Sequence, residues 1–411
     1  MSTAMDILPI LSTLRRHKIT ALLVILEIAL TCAIVCNAVF LITQRLDRIH
    51  MTSGIAEHEL IQIQLADLGD SGDDKARTEE DLAVLRQIPG VTAVASVNQM
   101  PFGGSSWNTG IKLDKKQRES TLDMTLYYGE NAAQTMGVQL IAGRLLQADD
   151  FIDFKDVVKA ANTADTKALP KVTVITSTLA QRLWPGQSAL GKAIYLGSDM
   201  PVTVVGVVKD LARPSVENDS DVQYSSLVPV RLSGGNFLIR TAPQERERVL
   251  KDALARLKAA YPHRVVLQKR TWDEVRNTFF QNDRAMTKLL FGICVALLAI
   301  TALGIVGLAS FWVAQRRRMI GVRRALGATR ANILHYFQTE NFLLATIGIA
   351  LGMVLAYGIN LFLMLHYELP RLPGIYLPVG ALLLWMIGKA AVLGPALRAA
   401  AVPPVVATRS V

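Results

Sequence analysis

Residues of the types that do chemistry are present in this chain, but few are spaced for it. Gly186 to Ala193, GQSALGKA, comes within one residue of G-x-x-x-x-G-K-[ST], whose backbone amides cradle phosphates and whose hydroxyl holds magnesium. Ala193 lacks that hydroxyl. The stretch also follows a predicted helix and precedes a predicted strand, the reverse of a phosphate loop, so it is read as no nucleotide site. His50, His58 and His263 are scattered, and no ligand spacing joins them. The three cysteines, Cys32, Cys36 and Cys294, all fall in apolar segments, which leaves the polar part of the chain without a disulfide or a zinc pattern. Cys32 and Cys36 share one helix face and read as small buried apolar residues. Catalysis by this chain is not expected. What remains is a concentration of charge. Gln315 to Arg330, QRRRMIGVRRALGATR, holds six arginines (Arg316, Arg317, Arg318, Arg323, Arg324 and Arg330) between two long apolar segments.

Arginines beside membrane spans are held on the cytoplasmic face by the positive-inside bias, so this loop sets the orientation of everything else. Within it Met319, Val322 and Leu326 recur at helical spacing, Gly327 can close that helix and Thr329 can cap the next. The expected structure is a short amphipathic helix at the cytosolic membrane surface. Such a surface can anchor topology and bind anionic lipid head groups.

The elements that position this loop follow from composition. With 51% hydrophobic residues among 411 and a mean hydropathy of +0.31, the chain is too apolar for an ordinary soluble protein. Four candidate spans appear: Ile19 to Ile42, Leu289 to Val313, Phe342 to Leu365 and Gly374 to Leu397. Each is long enough for a hydrocarbon core of about 30 Å with some tilt. The formal charge of +10 gathers at span ends rather than in an aromatic-studded groove, so membrane topology explains it and nucleic acid is not expected. The first span is too long for a signal-peptide core and lacks a clear cleavage site, so it is expected to stay in the mature protein. Before it, residues 1–18 read as an interfacial helix on the cytosolic face. Three polar residues interrupt the spans. Glu27 and Asn37 in the first are expected to make contacts between helices or subunits, because a lone carboxylate forms no proton relay. Lys389 in the fourth is expected to snorkel to the cytosolic interface.

Between about Arg45 and Arg284 lies a region far too long for a connecting loop. Strands are expected at Glu59 to Leu65, Val91 to Val97, Lys171 to Ile175, Ala193 to Leu196, Val202 to Lys209, Phe237 to Arg240 and near Val265 to Gln268. Helices are expected at Thr78 to Gln87, Ser177 to Leu183 and Gln244 to Ala260. Asp67 to Glu80 and Asp153 to Thr166 read as exposed loops. This alternation suggests small α+β subdomains. At Thr271 the sequence TWDE is a capping box. No proline or glycine follows until Gly292, so one helix is expected from Trp272 through Val313, about 63 Å at 1.5 Å per residue, standing out of the membrane as a stalk.

These stretches carry a resemblance. RRRMIGVRRALGATRANIL resembles the signature loop of the FtsX-like permeases, the membrane subunits of MacB-type ABC transporters, and ILEIALTCAIV around Glu27 resembles their first span. IPGVTAV, MGVQLIAGRLLQADD, TLAQRLWPGQSALGKAI and VTVVGVVKDL are similar, in that order, to the MacB-type periplasmic core domain. The ending PALRAAAVPPVVATR resembles the family's tail, with Thr408 in place of the usual leucine. Met319 is a second departure, since the family loop usually has an acidic residue before Ile-Gly.

The resemblance implies an α-helical membrane protein with four transmembrane helices and a large α+β extracytoplasmic domain inserted between the first and second. By number, the expected parts are a cytosolic helix 1–18, a span 19–42, a periplasmic core domain 43–271, and a stalk with the second span 272–313. A cytosolic coupling loop 314–341, a span 342–365, a periplasmic loop 366–373, a span 374–397 and a cytosolic tail 398–411 follow. It further implies a bacterial inner-membrane permease subunit that binds no cofactor, with ATP and magnesium on a separate cytosolic ATPase. That ATPase would dock on Arg316, Arg317, Arg318, Met319, Ile320, Gly321, Val322, Arg323, Arg324, Ala325, Leu326 and Gly327. A second copy or a homologous permease, membrane lipids, a periplasmic adaptor and an outer-membrane channel are the other partners implied, and export is the output. A signalling or scaffold protein that regulates periplasmic partners without transport stays open as the alternative.

Overall fold

The structure is a computed structural model that describes residues 18–66, 73–163, 169–197, 200–216, 219–367 and 371–401. The expected N-terminal interfacial helix and most of the expected C-terminal tail lie outside the described residues. The chain divides into two compact units, one holding the residues through Ile49 and from Asn282 onward, the other His50–Gln281.

The first unit is helical. It holds α1 (Lys18–Ile49) and, after the second unit, α8 (Gln281–Gln315), α9 (Arg317–Ala325), α10 (Arg330–Tyr367) and α11 (Tyr376–Ala400). All but α9 are long and apolar enough to cross a membrane. Helix α1 runs past the expected end at Ile42, and its Arg45 meets Asp283 of α8 at 2.5 Å. Helices α1 and α10 approach almost backbone to backbone. A Cβ on Gly348 would lie 2.9 Å from the Ile28 Cβ, and one on Gly352 would lie 2.5 Å from the Cys32 Cβ. This is a G-x-x-x-G contact, in which small residues let two helices close up where lipid offers no hydrophobic drive to do so. Cys32 and Cys36 are fully buried on this face, as small core residues, and Gly380 of α11 makes room for the Cys36 Sγ.

The second unit contains two sheets. The first has the order β13-β1-β12-β2, with β1 (Leu60–Ala66), β2 (Val91–Ser96), β12 (Asn236–Thr241) and β13 (Val265–Thr271). Every neighbouring pair is antiparallel. Helix α2 (Asp74–Arg86) joins β1 to β2 and α6 (Arg246–Ala260) joins β12 to β13, which makes a β-α-β-β-α-β unit. The alternating Ile61, Ile63 and Leu65 pack with Phe237 and Ile239 beneath Leu85 of α2 and Val249, Ala253 and Leu257 of α6. Asp73 caps α2 by accepting from the Lys75 and Ala76 amides, so the helix starts inside the stretch expected to be a loop.

Everything between β2 and β12 is an insertion. It contains β3 (Asn108–Lys112), β4 (Leu122–Tyr127), α3 (Ala132–Met136), β5 (Leu140–Gly143), β6 (Ile152–Asp153) and α4 (Phe154–Thr163). These are followed by β7 (Val172–Thr176), α5 (Ser177–Leu183), β8 (Ala193–Leu196), β9 (Met200–Val208), β10 (Ser225–Leu227) and β11 (Val230–Arg231). The sheet order is β5-β9-β7-β10-β4-β3-β8, and β8 pairs again with β9, so six of the strands close on themselves. Ile111, Met124, Ile175, Ile194, Val202 and Val204 fill the interior. Helix α4 corrects the expected loop at Asp153 to Thr166. Its few apolar residues lie on one side, with Ala160 buried, and this kind of one-sided spacing is easily lost among charges.

The expected single helix from Trp272 to Val313 is also corrected. Helix α7 (Trp272–Phe279) starts on the capping box as expected, with the Glu274 amide donating to the Thr271 hydroxyl and the Thr271 amide to the Glu274 carboxylate at 2.7 Å. It then breaks at Phe280, whose backbone sits at φ −92° and ψ 14°. The cause is packing rather than a helix breaker. Trp272 and Phe280 are fully buried, and Phe102 lies 5.1 Å from Phe280 and 5.3 Å from Phe279 by ring centroid. Seating these rings together turns the chain where its local sequence would continue a helix.

Candidate docking helix and intramembrane polar residues

Helix α9 forms where a basic, amphipathic stretch follows the long α8. It ends on a Schellman motif, in which the Ala328 amide donates to the Arg323 carbonyl at 3.0 Å and the Gly327 amide to the Arg324 carbonyl at 3.2 Å. That geometry needs a left-handed residue, and Gly327 supplies it at φ +98°. Thr329 then caps α10 by accepting from the Asn332 amide. Helix α10 therefore already starts at Arg330, and the second half of the expected coupling loop is helical.

The residues expected at the docking surface divide into two groups. Ile320 and Gly321 are buried toward the helical unit, while Met319, Val322 and Leu326 are 41, 44 and 83% exposed. Arg317, Arg318, Ala325 and Gly327 are exposed beside them. Three arginines instead tie α9 to its neighbours. Arg324 donates to the Ala400 carbonyl of α11 at 3.0 Å, and Arg323 lies over the Tyr336 ring of α10 at 5.0 Å. Arg316 is buried, with its Nη1 3.1 and 3.0 Å from the two Glu340 oxygens and its guanidinium 5.3 Å from the Trp312 ring.

Glu340, in α10 just before the expected span at Phe342, is the partner that sequence reasoning missed. The available signal was composition, for it is the only acidic residue between Asp283 and Glu368. Glu27 is half-buried in α1, with its oxygens over Gly304 of α8 and no hydrogen-bond or ion-pair partner among the described residues. Asn37 donates to the carbonyl of Ala33 in its own helix at 3.0 Å and to that of Ala356 in α10 at 3.1 Å, the second a contact between helices. Lys389 is exposed on α11. Thr31 and Thr301 add a hydrogen bond of 2.8 Å between α1 and α8. The phosphate-loop lookalike follows α5 and leads into β8, and its Lys192 is occupied by the Gln187 carbonyl at 2.6 Å and the Trp184 ring.

The family described as MacB-like periplasmic core domain matches residues 19–257, and that described as FtsX-like permease C-terminal matches residues 291–404. A macrolide export ATP-binding/permease protein MacB from Chromobacterium violaceum is 26% identical over 238 residues, which is 56% of this chain and 34% of that protein. A probable syringafactin export ATP-binding/permease protein from Pseudomonas syringae is 26% identical over 308 residues, which is 70% of this chain and 41% of that protein. The chain thus spans well under half the length of these relatives. The crystal structure of the periplasmic region of MacB from Actinobacillus actinomycetemcomitans matches 56% of this chain at 17% identity, with a TM-score of only 0.34. With one family covering more than half of its residues and the other most of the remainder, the chain belongs to the FtsX-like permeases that carry a MacB-like periplasmic core domain.

Proposed function

We propose that this chain is the permease subunit of a MacB-type ABC transporter, embedded in a bacterial inner membrane by four helices with the β-rich unit on the periplasmic side. The observation that carries this reading is α9, a short helix between two long apolar ones that presents Met319, Val322 and Leu326 with Arg317 and Arg318 to solvent. A cytosolic ATPase, binding ATP and magnesium in a separate polypeptide, docks there. Its closure pushes α9, and the Arg316–Glu340 pair and the Arg324 bond to Ala400 spread that push into α10 and α11. Chain continuity through α8 passes the movement toward the periplasmic unit. Met319, standing where the family has an acidic residue, calls for an apolar pocket on the ATPase.

The relatives bear export in their names, and the output favoured here is export of a substrate from the periplasm or the inner membrane. Two permeases form the working unit, with a periplasmic adaptor and an outer-membrane channel completing the route. Purification of the chain from native membranes in mild detergent, followed by mass spectrometry, tests this. A Walker-type ATPase is expected among the retained proteins, and Leu326→Asp should remove it without loss of membrane insertion. Retention of the ATPase by Leu326→Asp would refute docking at α9. Absence of any ATPase across several detergents would turn the reading to a signalling scaffold.

A further inference from the structure

The sheet of four strands leaves β13 on its edge, with the backbone groups of one side unpaired by the sheet. Val266 of β13 is in register with Leu65 of β1, and Lys269 with Ile63, so both belong to the face that carries the helices. Among the described residues β13 is nonetheless poorly covered at its start, on both faces. Val265, Val266 and Leu267 are 42, 43 and 54% exposed, in a strand that natural edges usually blunt. Between β13 and α6 runs a groove of about 580 Å³, with Leu65, Leu254 and Leu257 along its floor. Its rim is positive. Lys258, Arg264 and Lys269 line it together with Gln268, and among the described residues no acidic side chain does. Arg264 is held by Asp81 at 2.5 Å, whereas Lys258 and Lys269 are exposed and carry no ion pair among the described residues.

We propose that β13 and this groove take an extended segment of a partner protein, one in which acidic residues alternate with apolar ones, as a fifth strand of the sheet. Strand addition satisfies the open edge with main-chain hydrogen bonds, while side chains on alternate positions fill the groove. The lysines select the charge. A second copy of this chain is the poorer occupant, because pairing two β13 strands sets Lys269 and Arg270 of each copy against a partner equally rich in cations. The proposal is independent of ATPase docking.

The test uses the full chain in detergent micelles and fluorescence anisotropy with three labelled heptapeptides. One alternates glutamate and valine, one alternates lysine and valine, and one is the glutamate peptide N-methylated along one edge. The glutamate peptide is expected to saturate, the lysine peptide to bind at least tenfold more weakly, and N-methylation to abolish binding. Lys258→Glu with Lys269→Glu, both at exposed positions, should reverse the preference, while Leu326→Asp should leave it unchanged. Equal binding of the two charge types, or full binding after N-methylation, overturns the proposal. Crosslinking of Leu267→Cys between two copies of the chain, in place of peptide binding, overturns it as well.

Discussion

Replacing Glu340 with leucine should destabilise the helical unit far more than replacing Glu340 and Arg316 together. The side chains of Arg316 and Glu340 are only 7 and 1% exposed, so solvent screens the pair little. Glu340→Leu leaves a guanidinium buried without its counter-ion, and breaking such a pair from one side costs about 3–5 kcal/mol. The remaining contact with the Trp312 ring, at 5.3 Å, offsets only about 0.5–2 kcal/mol of that. The loss is a large fraction of a stability of about 5–15 kcal/mol. In Arg316→Met with Glu340→Leu neither charge remains to be desolvated, and replacing a buried pair by apolar residues of similar volume is neutral or stabilising by about 1–4 kcal/mol. The order expected is therefore Glu340→Leu least stable, with the wild type and the double variant well above it. Unfolding in detergent micelles, followed by the fluorescence of Trp312 and Trp385, reads this order. A single variant as stable as the double would refute the buried pair, and with it the route by which α9 is tied to α10.

Other features give further expectations. Thr271→Ala removes the cap of α7 and should lower the stability of the β-rich unit by about 0.5–2 kcal/mol in chemical denaturation, with Thr271→Ser restoring it. Gly352→Ala places a methyl 2.5 Å from the Cys32 Cβ and 2.7 Å from the Ala29 carbonyl, so α1 and α10 must part; thermal unfolding in micelles should show a clear loss, whereas Ala at the open Gly358 should show none. Hydrogen bonds from Lys75 and Arg144 hold the carboxyls of Asp153 and Asp150, respectively, below the usual carboxylate range. Their folded values lie below the unfolded value of about 3.9, so this stabilisation is complete above that pH and is lost as pH falls through the folded values. Proteolytic susceptibility of the β-rich unit should rise on acidification from about pH 5 to pH 3, and Asp150→Asn with Asp153→Asn should flatten that rise.

Much was legible without the fold, because it depends on neighbours in sequence. The four apolar helices, α9 with its Gly327 ending, the Thr271 capping box, and the bounds of α5 and β8 all follow from periodicity and caps that act over a few residues. The exposed Met319, Val322 and Leu326 stripe was equally visible as a helical spacing. Other decisions waited for partners that sequence distance hides. Phe280 breaks a helix that nothing local interrupts, because Phe102 arrives from the inserted domain to pack on it. Arg316 was one of six equivalent arginines until Glu340, 24 residues further along the chain in α10, made it a structural ion pair. The second pairing of β8 with β9 closed a sheet whose strands alone do not say whether it stays open. Gly348 and Gly352 became a contact only when α1 came to lie on them. Local propensity and caps place most elements; burial, and the low dielectric it brings, decides where the rest break and which of their charges and rings become structure and which stay free for a partner.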